Sequence, residues 1–175
     1  PRYNAGDVIK LDKKDVLIIE GIHALNPKIL SDISRKKKYK IYISPLTCLN
    51  LDDQNRISTS DNRLLRRIIR DNRHRGNDVN YSLKKWASVR LGEEKNIFPF
   101  QDEADVIFNS SLIYEIGVLK TYVEPLLYSV DMDSPYYEEA KRLINMLKMF
   151  LPIPSDDIPK DSILREFIGG GCFRQ

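Results

Sequence analysis

The sequence predicts an α/β domain built on a parallel sheet, and three observations carry that prediction. The run Asp15-Val16-Leu17-Ile18-Ile19-Glu20-Gly21 is continuously apolar and ends in an acid and a glycine. That is the pattern of a parallel strand covered on both faces. Two further strand-like segments follow, Tyr39 to Ser44 and Ala104 to Asn109. Helix-periodic stretches lie between and after them, and strands alternating with helices are the mark of a parallel α/β sheet.

The elements are justified in chain order. Residues 1–14 are polar and turn-rich, and Val8-Ile9 reads as an edge strand or hairpin arm. The apolar run 15–21 is the first core strand. Asn26-Pro27 starts a short helix over 26–38, which ends in the basic run Arg35-Lys36-Lys37-Lys38. Residues 39–44 form the second strand and 104–109 the third. Between them lie a helical region over 60–88 and an irregular loop over 89–103. Helices are expected over 111–129 and 135–150, the last opened by Ser134 as N-cap with Pro135 at the first helical position. A short helical stretch around Ile163–Phe167 precedes Gly169-Gly170-Gly171.

Composition narrows the function classes. The chain carries 28 Lys and Arg against 25 Asp and Glu, a net charge of +3, which is low for a nucleic-acid binder. No apolar run approaches the roughly 20 residues of a membrane span, and no secretory leader is expected. Without an initiator Met, it is expected to be processed or cut from something longer. Cys48 and Cys172 are isolated, and His23 and His74 share no ligand spacing, so a zinc site is not expected. The expected setting is the cytoplasm, with reduced thiols.

Charge distribution says more than net charge. Between Arg56 and Arg75 stand seven arginines (56, 63, 66, 67, 70, 73, 75), two aspartates (61, 71) and no lysine. At 100° per residue, Leu64, Leu65, Ile68 and Ile69 share one helix face, and Arg63, Arg66, Arg67, Arg70 and Arg73 the other. A plain solvated face would mix Lys, Glu and Arg in i,i+4 pairs, and only Asp71 serves that purpose. Arginine alone suits bidentate phosphate binding. Residues 73–78 read as a flexible connection between two short helices, the two together making an arginine-bearing lid over a triphosphate. Glu20, at the carboxyl end of its strand, stands where open α/β sheets bind ligands and where a Walker-B acid holds Mg²⁺.

Taken in order, VLIIEGI, KIYIS, RLLRRIIRDNRHRGND and ADVIFN resemble the uridine kinase/phosphoribulokinase family over roughly residues 10–110. The stretches DDQNRISTSDNRLLRRIIRDN and ILREFIGG are similar to a bacterial branch in which the kinase follows a TGS-type, threonyl-tRNA-synthetase-like N-terminal region. The resemblance implies a P-loop NTPase-like parallel sheet with flanking helices, and ATP- and Mg²⁺-dependent phosphorylation of a nucleoside 5′-hydroxyl. By it, Glu20 holds the metal and Ile22 lines the nucleoside pocket. Arg67 sits near the nucleoside and is catalytic with Glu20, while Arg66, Arg70 and Arg75 reach the ATP phosphates. Asn77 and Lys85 fall at substrate-contacting positions where the family usually has Arg and Gln, and both departures bear on the identity of the acceptor.

No G-x-x-x-x-G-K-[ST] occurs in the 175 residues. The fold is therefore expected to be incomplete, lacking the N-terminal portion that carries the phosphate loop and the aspartate base. The chain alone is expected to be inactive. Residues 1–130 are expected to be the C-terminal portion of the kinase domain, with a lid at 60–88, and 131–175 a helical extension and tail. The expected partners are a small nucleoside and the N-terminal part of the same parent chain. No membrane is expected, and a homo-oligomer is compatible. Two alternatives stand beside this reading: a non-catalytic RNA-binding or regulatory module, and a P-loop kinase for another small acceptor.

Overall fold

The computed structural model describes residues 10–173, so the expected arm at Val8-Ile9 lies outside the described residues. Two strands, β1 (Ile41–Ser44) and β2 (Val106–Asn109), pair in parallel, with Ile41 opposite Val106 and Ser44 opposite Asn109. Between them run α1 (Thr59–Arg75) and α2 (Val79–Asn96). After β2 come α3 (Glu115–Tyr128), α4 (Tyr137–Leu147) and the single-turn α5 (Arg165–Ile168). This is an α/β fold with a small parallel sheet and flanking helices.

The α1–α2 hairpin is specified by its caps. The Ser58 hydroxyl accepts from Ser60 N at 3.1 Å and opens α1. Gly76 closes it at φ 63°, a left-handed conformation that favours glycine, with its N–H on the Asp71 carbonyl. Two residues later Asp78 caps α2 by accepting from Tyr81 N at 2.8 Å. The expected flexible connection is thus a tight junction, and the expected short lid helices are two long ones. The expected loop 89–103 is the last part of α2 followed by a 3-10 turn over Phe98–Glu103.

The core is helical. Leu64, Leu65, Ile68 and Ile69 of α1 are all buried, as their spacing predicts, against Ile116, Leu119, Val123 and Leu127 of α3 and Leu143 and Leu147 of α4. Gly117 lets α3 approach the following chain closely, since a Cβ there would stand 2.8 Å from both the Leu151 carbonyl and Ile153. Trp86 packs on this core, partly buried. Helix α4 begins at Tyr137, two residues after the expected Pro135. The Ser134 hydroxyl accepts from Tyr136 N at 3.2 Å in the preceding turn.

The first expected strand is corrected. Residues 15–20 form no ladder, and Val16 and Ile18 are 86% and 87% exposed. A doubly apolar strand needs a partner at its edge and cover on both faces. Among the described residues β1 and β2 pair only with each other, and nothing covers 15–20. The expected helix 26–38 is likewise a series of turns with a 3-10 turn at Arg35–Lys37.

Candidate functional site

The α1–α2 junction gathers the arginines the sequence singled out. At its centre is Asp71, whose side chain is fully buried. Arg67, one turn before it, brings Nε to 3.1 Å from the carboxylate. Arg75, one turn after, donates from Nη1 at 2.8 Å. Ser82 of α2 donates its hydroxyl at 3.1 Å, so the same carboxylate ties the two helices together. Two guanidinium groups and one carboxylate leave the cluster a net positive charge. The Arg67 Nη atoms and Arg75 Nη2 have no acceptor among the described residues, and Arg75 is 54% exposed. Donors held in place but still unclaimed are what an oxyanion ligand requires.

The rest of the arginine row is engaged. Arg56 donates to the Thr47 carbonyl at 2.7 Å, and Arg63 pairs with Glu93. Arg70 pairs with Glu166 at 3.1 Å, and Arg73 donates to the Ile168 carbonyl at 2.6 Å. All seven arginines of 56–75 therefore meet a protein acceptor. The face is not a free row of cations.

Arg66 is the clearest correction. Expected at the ATP phosphates, it is a core residue, 6% exposed. Its guanidinium pairs with Glu115 at the start of α3, donates to the Ser110 carbonyl at 3.2 Å and lies over the Phe167 ring at 5.1 Å. Asn62 donates to the same Glu115 carboxylate and to the Thr47 hydroxyl.

The other expected site residues stand apart. Glu20, Ile22 and Lys85 are exposed, and among the described residues no hydrogen bond or ion pair joins them to the α1 arginines. Asn77 lies in the junction, its N–H on the Asp71 carbonyl at 3.1 Å. Among the described residues no three His, Cys, Asp or Glu side chains cluster as a metal site, and no helix is long and apolar enough to cross a membrane. Glu20 belongs to no such cluster. One carboxylate suits Mg²⁺, which takes most of its ligands from water and substrate phosphates.

Sequence reasoning missed two features. Glu115 carried only the signal of an acid in a first helical turn, which reads as a helix-dipole residue. The tail was read only as a short helix before three glycines, and its closure over α1 through Glu166, Phe167 and Ile168 left no local signal.

Comparison with known proteins adds the family. The Phosphoribulokinase / Uridine kinase family matches residues 5–117. The uridine kinases of Staphylococcus aureus strains JH9 and Newman are each 30% identical to this chain over 122 residues, which is 68% of this chain and 51% of theirs. The chain therefore spans about half the length of these curated relatives. No solved structure matches.

Proposed function

Since the chain belongs to the phosphoribulokinase/uridine kinase family, we propose that it forms part of an ATP-dependent nucleoside kinase, with its phosphate-facing donors at the α1–α2 junction. The observation that carries the reading is the convergence of Arg67 and Arg75 on buried Asp71. A buried carboxylate between two guanidinium groups keeps both cations at the junction before any ligand arrives, and preorganised donors are the main source of transition-state stabilisation in phosphoryl transfer.

Bound ATP·Mg²⁺ would supply the phosphoryl group and a charge-neutralised leaving group. Arg67 would point its free nitrogens at the transferring phosphoryl near the nucleoside. Arg75 would hold the phosphates, and Arg70 would join it by giving up its exposed pair with Glu166. Glu20 would offer its carboxylate to the metal, Ile22 would line the nucleoside pocket, and Asn77 and Lys85 would meet the substrate. The nucleoside 5′-oxygen would bond to the γ-phosphorus as the bridging P–O bond breaks, releasing ADP and the hydroxyl proton. The setting is cytoplasmic, where ATP is supplied.

The phosphate cradle is proposed to come from an N-terminal segment of the same parent chain, of the TGS-linked bacterial type. Two observations support this: no glycine-rich phosphate loop occurs in the 175 residues, and the strand-like run 15–20 and both faces of β2 are bare. The 175-residue chain alone is proposed to be inactive.

The test is ADP release by a longer kinase chain containing these residues, with ATP·Mg²⁺ and a panel of nucleosides, beside Glu20→Gln and Arg67→Gln. Turnover with one nucleoside, lost in both variants, is expected. Turnover only with another small acceptor would overturn the nucleoside assignment, and turnover by the 175 residues alone would overturn their inactivity.

A further inference from the structure

We propose that the cleft between the end of α1 and the glycine-rich tail binds a phosphate group, as a site separate from the Arg67–Asp71–Arg75 cluster. It is lined by Arg73, His74, Gly169, Gly170, Gly171 and Phe173 and encloses about 250 Å³. That is below the roughly 300 Å³ at which pockets for whole drug-sized ligands begin, so it suits a small anion or the phosphate end of a larger molecule. The family match ends at residue 117, so the tail half of this cleft lies outside it.

The cationic side is built in. Arg73 is anchored by Nη1 on the Ile168 carbonyl at 2.6 Å, leaving Nε and Nη2 with no acceptor among the described residues. Its guanidinium lies against bare backbone: a Cβ on Gly169 would overlap Nη2. His74 is held beside it by a 3.2 Å contact of Nε2 with the Glu166 carbonyl oxygen. A fixed guanidinium loses little freedom on binding an oxyanion.

The backbone supplies the remaining donors. Gly169 and Gly170 take φ of 80° and 71°, conformations that favour glycine. The N–H groups of Gly170 and Gly171 have no partner among the described residues. Main-chain N–H groups beside an arginine fork form a concavity suited to a tetrahedral oxyanion. The carboxylates nearby do not fill it: Asp161 and Glu166 line the neighbouring cleft, and Glu166 is paired with Arg70.

The test needs neither nucleoside nor turnover, so it stands or falls apart from the kinase reading. The 175-residue chain, held at a fixed concentration below its self-association, is titrated with inorganic phosphate at constant ionic strength, and backbone amide NMR shifts are followed. Saturable shifts centred on Gly170 and Gly171 are expected. Arg73→Gln and His74→Gln should each weaken binding about tenfold, the cost of losing a charge-assisted hydrogen bond, while Arg90→Gln on α2 should not change it. If Arg73→Gln undocks the tail, His74→Gln decides, and unchanged affinity there overturns the site. Shifts centred on Arg67 and Arg75, or a response no different from that to chloride, also overturn it. A parallel titration with AMP identifies the source: tighter binding than inorganic phosphate assigns a phosphomonoester, equal or weaker binding the free ion.

Discussion

Arg66 and Glu115 form a buried ion pair, their side chains being 8% and 1% exposed. The pair locks α1 to the start of α3, and Phe167 of the tail stacks on its cationic end. Removing one charge strands the other in the core. Glu115→Gln should therefore cost roughly 3–5 kcal/mol in urea denaturation. Replacing both residues with leucine or methionine should recover much of that loss, because the surviving charge goes too. A single-variant cost below about 1 kcal/mol would show that water reaches the pair.

Asp71 should separate local electrostatics from backbone capping. Its carbonyl holds the N–H groups of Gly76 and Asn77, while its carboxylate holds Arg67, Arg75 and Ser82. Asp71→Asn keeps the first role and loses the charge of the second. We expect a loss of about 3 kcal/mol with hydrogen-exchange protection of Gly76 and Asn77 retained. Arg75→Ala should cost less than about 1 kcal/mol, since that arginine is largely in solvent.

Asp105 sets a pH dependence at the entrance to β2. The Arg35 guanidinium, at 2.6 Å, and then the Lys40 backbone N–H hold its carboxyl below the ordinary 3.8. A depressed folded-state pKa means the stabilisation is fully present above the unfolded value and lost as pH falls through the folded one. The pairing that fastens β1 to β2 should thus persist at neutral pH and fade only in acid, below about pH 4. Side-chain carbon NMR should place the Asp105 midpoint below that of an exposed aspartate, and Arg35→Gln should return it toward 3.8.

Gly169 should be intolerant of any side chain. Alanine there would take an unfavourable positive φ and force the Arg73 guanidinium to move off the tail backbone. Gly169→Ala should undock the tail, raising amide exchange across residues 161–173 while α1 stays protected. Exchange unchanged in the tail would contradict the close packing described.

What the sequence made legible follows from what periodicity can encode. The spacing of Leu64, Leu65, Ile68 and Ile69 marks a face that must be buried, and it is. KIYIS and ADVIFN read as strands of a parallel sheet, and their cores pair. Asp71 was visible as the one acid at i,i+4 spacing in the arginine row, but not as a hub, because its second helix enters through Ser82. Partners 92 to 96 residues apart, such as His74 with Glu166 or Arg70 with Glu166, leave no trace in local pattern. The run 15–20 shows the opposite failure: its apolar content states a demand for burial, and nothing in the run itself states what will meet it.

That unmet demand yields the last prediction. Val16, Ile18, Ile107 and Phe108 are 86%, 87%, 52% and 59% exposed, and β2 is bare along its length. Exposed apolar side chains in such number mark an interaction face or an aggregation liability. The 175-residue chain should bind the dye ANS and self-associate as concentration rises. Phe108→Lys should reduce both without lowering its thermal midpoint, because the wild-type phenyl ring is already half in water. If a longer kinase chain covers this face, the same substitution there should cost about 2 kcal/mol, the value of burying such a side chain. Equal, negligible effects in both chains would mean that β2 faces water in each, and the proposed docking of an N-terminal segment against the sheet would fail.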